Sequence, residues 1–210
     1  NINFAVDIAL DGAFGNSGQR CTSVKKIIID EKIADEFSNN LVSKAQKLIV
    51  GDQLDPKTDI GPLINKESAR EIEKTVMESI ANGSKLCCGG NRKGSLFWPT
   101  VLDFVDYDDS IVSDEIFGPI APMIRVKNFE ESIKNANASD YGLQTGIITN
   151  NYEKIKYAIT NIQSGAIVIN NHSGFRSENL PFGGIKKSGM GREGVKYAIN
   201  EMTKLKTIIF

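Results

Sequence analysis

The sequence predicts a three-layer α/β fold, with a mostly parallel sheet and helices on both of its faces. Short β-branched runs alternate with amphipathic stretches along the chain, the pattern of a layered α/β domain. The stretches between the runs are long enough for crossover helices, which implies parallel pairing rather than hairpins. With 210 residues, 40% of them hydrophobic and 24% charged, the chain can bury one large core or two small ones.

Asn1–Phe14 already reads as patterned structure. Val24–Ile29 is an apolar strand apart from Lys25 and Lys26. Ile33, Phe37, Leu41, Ala45 and Leu48 then recur three or four apart, one face of a helix over 33–49. Residues 51–65, with Gly51, Pro56, Gly61 and Pro62, form a long loop. A helix over Lys66–Ala81 is stopped by Asn82-Gly83. Strands follow at Lys85–Cys88, Pro99–Phe104 and Ala121–Val126. A helix at Phe129–Ala138, a strand at Thr145–Thr149, a helix at Tyr152–Ile162 and a strand at Ala166–Asn170 complete the alternation. Residues 171–188 make a second long loop, of the kind that carries function. A helix over Arg192–Met202 precedes a short apolar strand, Lys206–Phe210.

Lys and Arg number 25 against 26 Asp and Glu, a net charge of -1, which removes the electrostatic case for nucleic acid or an anionic membrane as partner. No apolar run is long enough to cross a bilayer. The three cysteines include the adjacent pair Cys87 and Cys88, which makes no disulfide framework and points to a reducing, cytoplasmic compartment. The chain opens on Asn1 with neither an initiator Met nor a signal sequence and reads as a fragment.

Phe14–Ser23 is the most informative segment. Gly15 and Gly18 allow turns and close approach to a ligand, and Cys21 stands where a helix could begin. A thiol beside Arg20 and backbone N–H groups is a candidate nucleophile, because such neighbours favour the thiolate; a buried structural cysteine remains the alternative from spacing alone.

Gly18-Gln19-Arg20-Cys21, then Asp114-Glu115-Ile116-Phe117-Gly118-Pro119, then Pro181-Phe182-Gly183-Gly184-Ile185-Lys186-Lys187-Ser188-Gly189 together resemble the aldehyde dehydrogenase superfamily. Gly51-Asp52 with Gly61-Pro62-Leu63-Ile64, and Asp140-Tyr141-Gly142-Leu143, resemble loops of the same family. The motifs span nearly the whole chain in the family's order. The resemblance implies that Cys21 attacks an aldehyde carbonyl, that the oxyanion is held by the Cys21 N–H and an upstream Asn, and that hydride passes to NAD or NADP. It implies that Glu115 and Phe117 contact the ribose and ring of the nicotinamide half. The family's water-activating Glu and its dinucleotide-binding domain lie upstream of anything in this chain, which is therefore expected not to turn over by itself. Residues 1–203 are expected to be the catalytic domain and 204–210 the strand that joins an oligomerisation sheet, giving a homodimer or homotetramer.

Gly189-Met190-Gly191-Arg192-Glu193-Gly194 fits the G-x-G-x-x-G dinucleotide pattern but follows no strand end and leads into no second crossover, so it reads as a loop opening a helix. Arg20 and Arg176 suit an anionic or hydroxylated substrate through paired guanidinium donors, and with Phe182 they are the candidate substrate contacts. The Phe175-Arg176 and Phe182 region resembles lactaldehyde and non-phosphorylating glyceraldehyde-3-phosphate dehydrogenases, which implies a small 2-hydroxyaldehyde. His172, the one histidine, reads as a hydrogen-bonding group rather than a catalytic one, and no zinc site is expected. Two other readings stand beside the dehydrogenase: a cysteine esterase or acyltransferase without hydride transfer, and a non-catalytic member of the superfamily.

Overall fold

The computed structural model describes residues 1–210. Ile2–Phe14 forms α1, capped by Asn1, whose side chain accepts from the Phe4 N–H. A 3-10 turn at Gly15–Gly18 leads towards β1 (Ile27–Asp30). The Asp30 carboxylate accepts from the Lys32 N–H and so starts α2 (Glu31–Ala45), while Asn65 does the same through Ser68 for α3 (Lys66–Ala81). Next come β2 (Lys85–Cys88), the hairpin β3 (Arg92–Lys93) and β4 (Leu96–Phe97), and β5 (Thr100–Asp103). A single turn, α4 (Ser110–Ser113), precedes β6 (Ile120–Val126) and α5 (Phe129–Asn137). The last elements are β7 (Tyr141–Gly142), β8 (Gln144–Ile147), α6 (Tyr152–Asn161), β9 (Ala166–Ile169), β10 (Ile185–Lys186) and α7 (Val195–Met202).

The main sheet has the order β1-β6-β5-β2, parallel except where β2 pairs antiparallel with β5. A separate parallel pair joins β8 to β9, and β7 pairs antiparallel with β10. Alternation along the central strands divides the core in two. Val101, Ala121 and Met123 pack with Phe14 of α1 and Phe37 and Leu41 of α2, whereas Leu102, Ile120 and Ile124 pack with Ile72 and Val76 of α3. Each such fully buried side chain contributes about 1.5–3 kcal/mol against the entropy of ordering the chain. A smaller cluster of Ile133, Ile147 and Ala158 holds α5 and α6 to β8. The sheet also holds a charge pair: Asp103 is 2% exposed at its side chain and accepts two hydrogen bonds from the Arg125 guanidinium, at 3.0 and 2.6 Å. No helix is long and apolar enough to cross a membrane.

Several boundaries differ from the sequence expectations. The ladder of β1 begins at Ile27 rather than Val24, because the Val24 N–H donates to Gly12 and Lys25 is turned inward. α2 ends at Ala45, short of Ile49, and α7 starts at Val195 because Phe182 and Glu193 exchange backbone hydrogen bonds just before it. No helix begins at Cys21, which lies in a turn. The loop after β9 contains the two-residue β10, and residues 203–210 belong to no strand, leaving Leu205, Ile208, Ile209 and Phe210 exposed.

Candidate active site

The segment before Cys21 adopts three consecutive positive φ values, at Asn16 (55°), Ser17 (57°) and Gly18 (69°). Two of these residues carry a Cβ, so the turn is strained and must be held by its surroundings. Ser17 Oγ donates to the Gly61 carbonyl at 3.0 Å and Gln19 Nε2 to the Pro62 carbonyl at 3.2 Å, while Gln19 Oε1 accepts from the Ile64 N–H at 2.9 Å. Gly61–Ile64 is thus the cradle of the Cys21 loop. Gly18 has no room for a side chain, since a Cβ there would lie 1.9 Å from the Gly118 carbonyl oxygen. The two motif loops touch backbone to backbone.

Cys21 itself is exposed, and its backbone N–H donates to no other group of the chain. Cys87 and Cys88 are half-buried, and burial pushes both thiols above the ordinary range. Cys21 and Glu115 line one cavity of about 570 Å³, together with β1, β8 and the His172 loop. Ser23 Oγ and Gln144 Oε1, on residues of that lining, are buried without a hydrogen-bond partner. No group of three His, Cys, Asp or Glu side chains is placed to hold a metal ion.

Lys25 is the site residue that sequence reasoning missed. Its ammonium donates to the Ile116 carbonyl at 2.7 Å and to the Gly18 carbonyl at 3.2 Å, and lies 4.3 Å from the centre of the Phe117 ring. Burial lowers its pKa to about 8, opposed by the negative charge of Glu115 and a Cys21 thiolate. A lysine interrupting an aliphatic run was the available signal.

Arg20 folds back between Gly15 and Gly174, where its Nε and Nη2 are buried without partners. Arg176 stacks on the Phe182 ring at 4.5 Å and faces the Glu193 carboxylate at 3.7 Å. The candidate substrate residues therefore fall into two groups: Arg20 beside His172–Gly174, and Arg176 with Phe182. His172 has a hydrogen-bonding role, as expected: Nδ1 accepts from the Gly174 N–H at 2.9 Å, and Nε2 meets Asp11 Oδ2 at 2.9 Å. Ser173 Oγ donates to the Thr22 carbonyl at 2.8 Å and ties this loop to the residue after Cys21. Glu115 and Phe117 are exposed on the loop against the Cys21 turn, a carboxylate and an aromatic ring suited to ribose hydroxyls and a nicotinamide face.

A family model described as the aldehyde dehydrogenase family matches residues 1–208. A lactaldehyde dehydrogenase of Methanococcus aeolicus is 47% identical over 209 residues, covering 100% of this chain and 45% of that protein. A 3-sulfolactaldehyde dehydrogenase of Priestia aryabhattai is 39% identical, covering 98% of this chain and 43% of its own length. The crystal structure of glyceraldehyde-3-phosphate dehydrogenase GapN from Methanocaldococcus jannaschii, complexed with NADP, superposes with a TM-score of 0.96 at 48% identity, over 99% of this chain and 45% of that one. The chain thus spans less than half the length of the relatives it matches.

Proposed function

The chain belongs to the aldehyde dehydrogenase family, and on that premise we propose that it is the catalytic domain, residues 1–203, of an enzyme that oxidises an aldehyde to its carboxylic acid through Cys21. The carrying observation is the packing of the exposed Cys21 turn directly against the loop of Glu115 and Phe117. The Cys21 thiolate adds to the aldehyde carbon, forming a C–S bond and placing the carbonyl electrons on oxygen. The uncommitted Cys21 N–H is available to that oxyanion, and a donor so placed contributes about 2.7–4 kcal/mol. NAD or NADP, when bound, supplies the hydride acceptor. Glu115 would hold the ribose hydroxyls and Phe117 would pack against the ring. A sulfur nucleophile suits this division of labour: it adds to the carbonyl reversibly, the adduct carbon becomes a thioester on losing its hydride, and water then attacks that carbon to release the acid and the thiolate.

The substrate class is a small 2-hydroxyaldehyde such as lactaldehyde. Three relatives named for lactaldehyde, 3-sulfolactaldehyde and glyceraldehyde 3-phosphate support it, since all of these carry a hydroxyl beside the aldehyde. Two of them are also anionic, and the unpartnered guanidinium atoms of Arg20 are suited to an anion, whereas Arg176 over Phe182 already faces Glu193 and stands apart. The exposed apolar residues of 204–210 would pair in an oligomerisation sheet of a cytoplasmic homodimer or homotetramer. Deleting 204–210 should lower the oligomer mass in light scattering; an unchanged mass would reject this part.

Reduction of NAD+ and NADP+ is measured in the whole protein carrying these residues, with lactaldehyde, glyceraldehyde 3-phosphate and succinic semialdehyde, beside Cys21→Ala. Reduction with the 2-hydroxyaldehydes that disappears in Cys21→Ala is expected. Cofactor-independent ester hydrolysis in place of reduction would reject the dehydrogenase.

A further inference from the structure

Lys25 has no place in the chemistry above, yet its ammonium occupies the junction of the two loops that carry it. The sequence pattern would continue β1 back to Val24, but the strand gives up its first residues and Lys25 reaches instead to the carbonyls of Gly18 and Ile116. One carbonyl belongs to the Cys21 turn and the other sits between Glu115 and Phe117. A charged donor shared by two backbone acceptors is a strong tie, and removing it leaves both carbonyls without that donor. The same ammonium lies over the Phe117 ring, within cation–π range, and so fixes the ring's position as well.

We propose that Lys25 is a positioning residue that sets the distance and orientation between Cys21 and the Glu115–Phe117 cofactor contacts. This rests on the reading of Cys21, Glu115 and Phe117 given above. Lys25 lines the same cavity as Cys21 and Glu115, but its ammonium is committed to the Gly18 and Ile116 carbonyls and the Phe117 ring, and it acts through them. The groups that bear on its charge are Glu115 and Cys21, which favour the ammonium, and Arg20, which opposes it, while burial dominates and brings its pKa to about 8. As pH rises through that value the ammonium becomes an amine. The amine keeps two N–H groups but loses the attraction to the ring and to Glu115. Cofactor binding should therefore weaken across the same window.

The test titrates NADPH, and NADH in parallel, into the whole protein carrying these residues by nicotinamide fluorescence between pH 6.5 and 10, for wild type, Lys25→Met and Lys25→Arg. The inference predicts that wild-type binding weakens through about pH 8. Lys25→Met should bind roughly tenfold more weakly or worse, with no inflection there. Lys25→Arg, which stays charged, should recover most of the affinity and move the inflection upward. If Lys25→Met does not fold, the Lys25→Arg profile decides. Wild-type affinity in Lys25→Met, or an inflection near pH 8 that persists in Lys25→Arg, overturns the inference while leaving the dehydrogenase reading in place. A wild-type protein that binds neither cofactor overturns both.

Discussion

Substituting Gly18 with alanine tests whether the close backbone contact between the Cys21 turn and the Glu115 loop matters. Two costs add. The residue has φ 69°, and a Cβ in the left-handed region costs about 1–2 kcal/mol. The new carbon would also stand 1.9 Å from the Gly118 carbonyl oxygen, where contacts between carbon and oxygen settle near about 3.3 Å. The loops must separate by roughly 1.4 Å, and overpacking of this kind costs about 1–3 kcal/mol. Gly18→Ala should lower unfolding free energy by about 2–5 kcal/mol in a urea titration followed by circular dichroism. Gly83→Ala is the control, because Gly83 has φ 109° and nothing within 4 Å of an added Cβ. It should lose only the backbone share, about 1–3 kcal/mol, since φ 109° lies beyond the left-handed α region. Displacing reacting groups by about 1 Å costs on the order of a hundredfold in rate. Gly18→Ala should therefore lose about that much cofactor reduction while Gly83→Ala keeps the wild-type rate. Equal stability losses in the two variants, or a wild-type rate in Gly18→Ala, would refute the reasoning.

Asp103→Ala should cost about 2–3 kcal/mol in the same titration, because the Arg125 guanidinium loses its buried partner and keeps only the exposed Asp35, at 2.8 Å. Asp7→Ala, which removes an exposed pair with Lys44, should cost less than about 1 kcal/mol. Iodoacetamide at pH 8 should label Cys21 about tenfold or more faster than Cys87 and Cys88, read by peptide mass spectrometry, since Cys21 is exposed and burial holds the other two thiols protonated. For Lys25, the folded pKa of about 8 lies below the ordinary 10.5, so between these values the unfolded chain holds more protons than the folded one and stability rises with pH. Relative to Lys25→Met, wild type should gain up to about 3 kcal/mol across that window, and a flat difference would contradict the burial of the ammonium.

The sequence made some elements readable and hid others for identifiable reasons. α3 is legible in the sequence because its stop signal, Asn82-Gly83, is local, and the structure adds Asn65 as its N-cap and Ala69, Ile72 and Val76 as its buried face. α1 reads in the sequence only as patterned structure, and Gly12 lies inside it. It is there because a Cβ would meet Val24 at 2.6 Å and His172 at 2.7 Å, a tertiary reason with no local mark. The starts of β1 and α7 were placed too early for the same kind of cause, the Lys25 tether and the Phe182–Glu193 pairing. At the site, Cys21, Glu115 and Phe117 could be named from motifs, and the structure sets their loops side by side. Lys25 left only the trace of a lysine interrupting an aliphatic run, since its partners Gly18 and Ile116 lie 7 and 91 residues away and offer only backbone carbonyls.

The central claim is covalent chemistry at Cys21, and trapping the intermediate tests it most directly. The whole protein is mixed with lactaldehyde and its oxidised cofactor, quenched in acid while turning over, digested, and examined by peptide mass spectrometry. The account predicts a lactyl thioester on the peptide containing Cys21 and none on that of Cys87 and Cys88. Steady reduction of the cofactor with an unmodified Cys21 peptide at every quench time would contradict it.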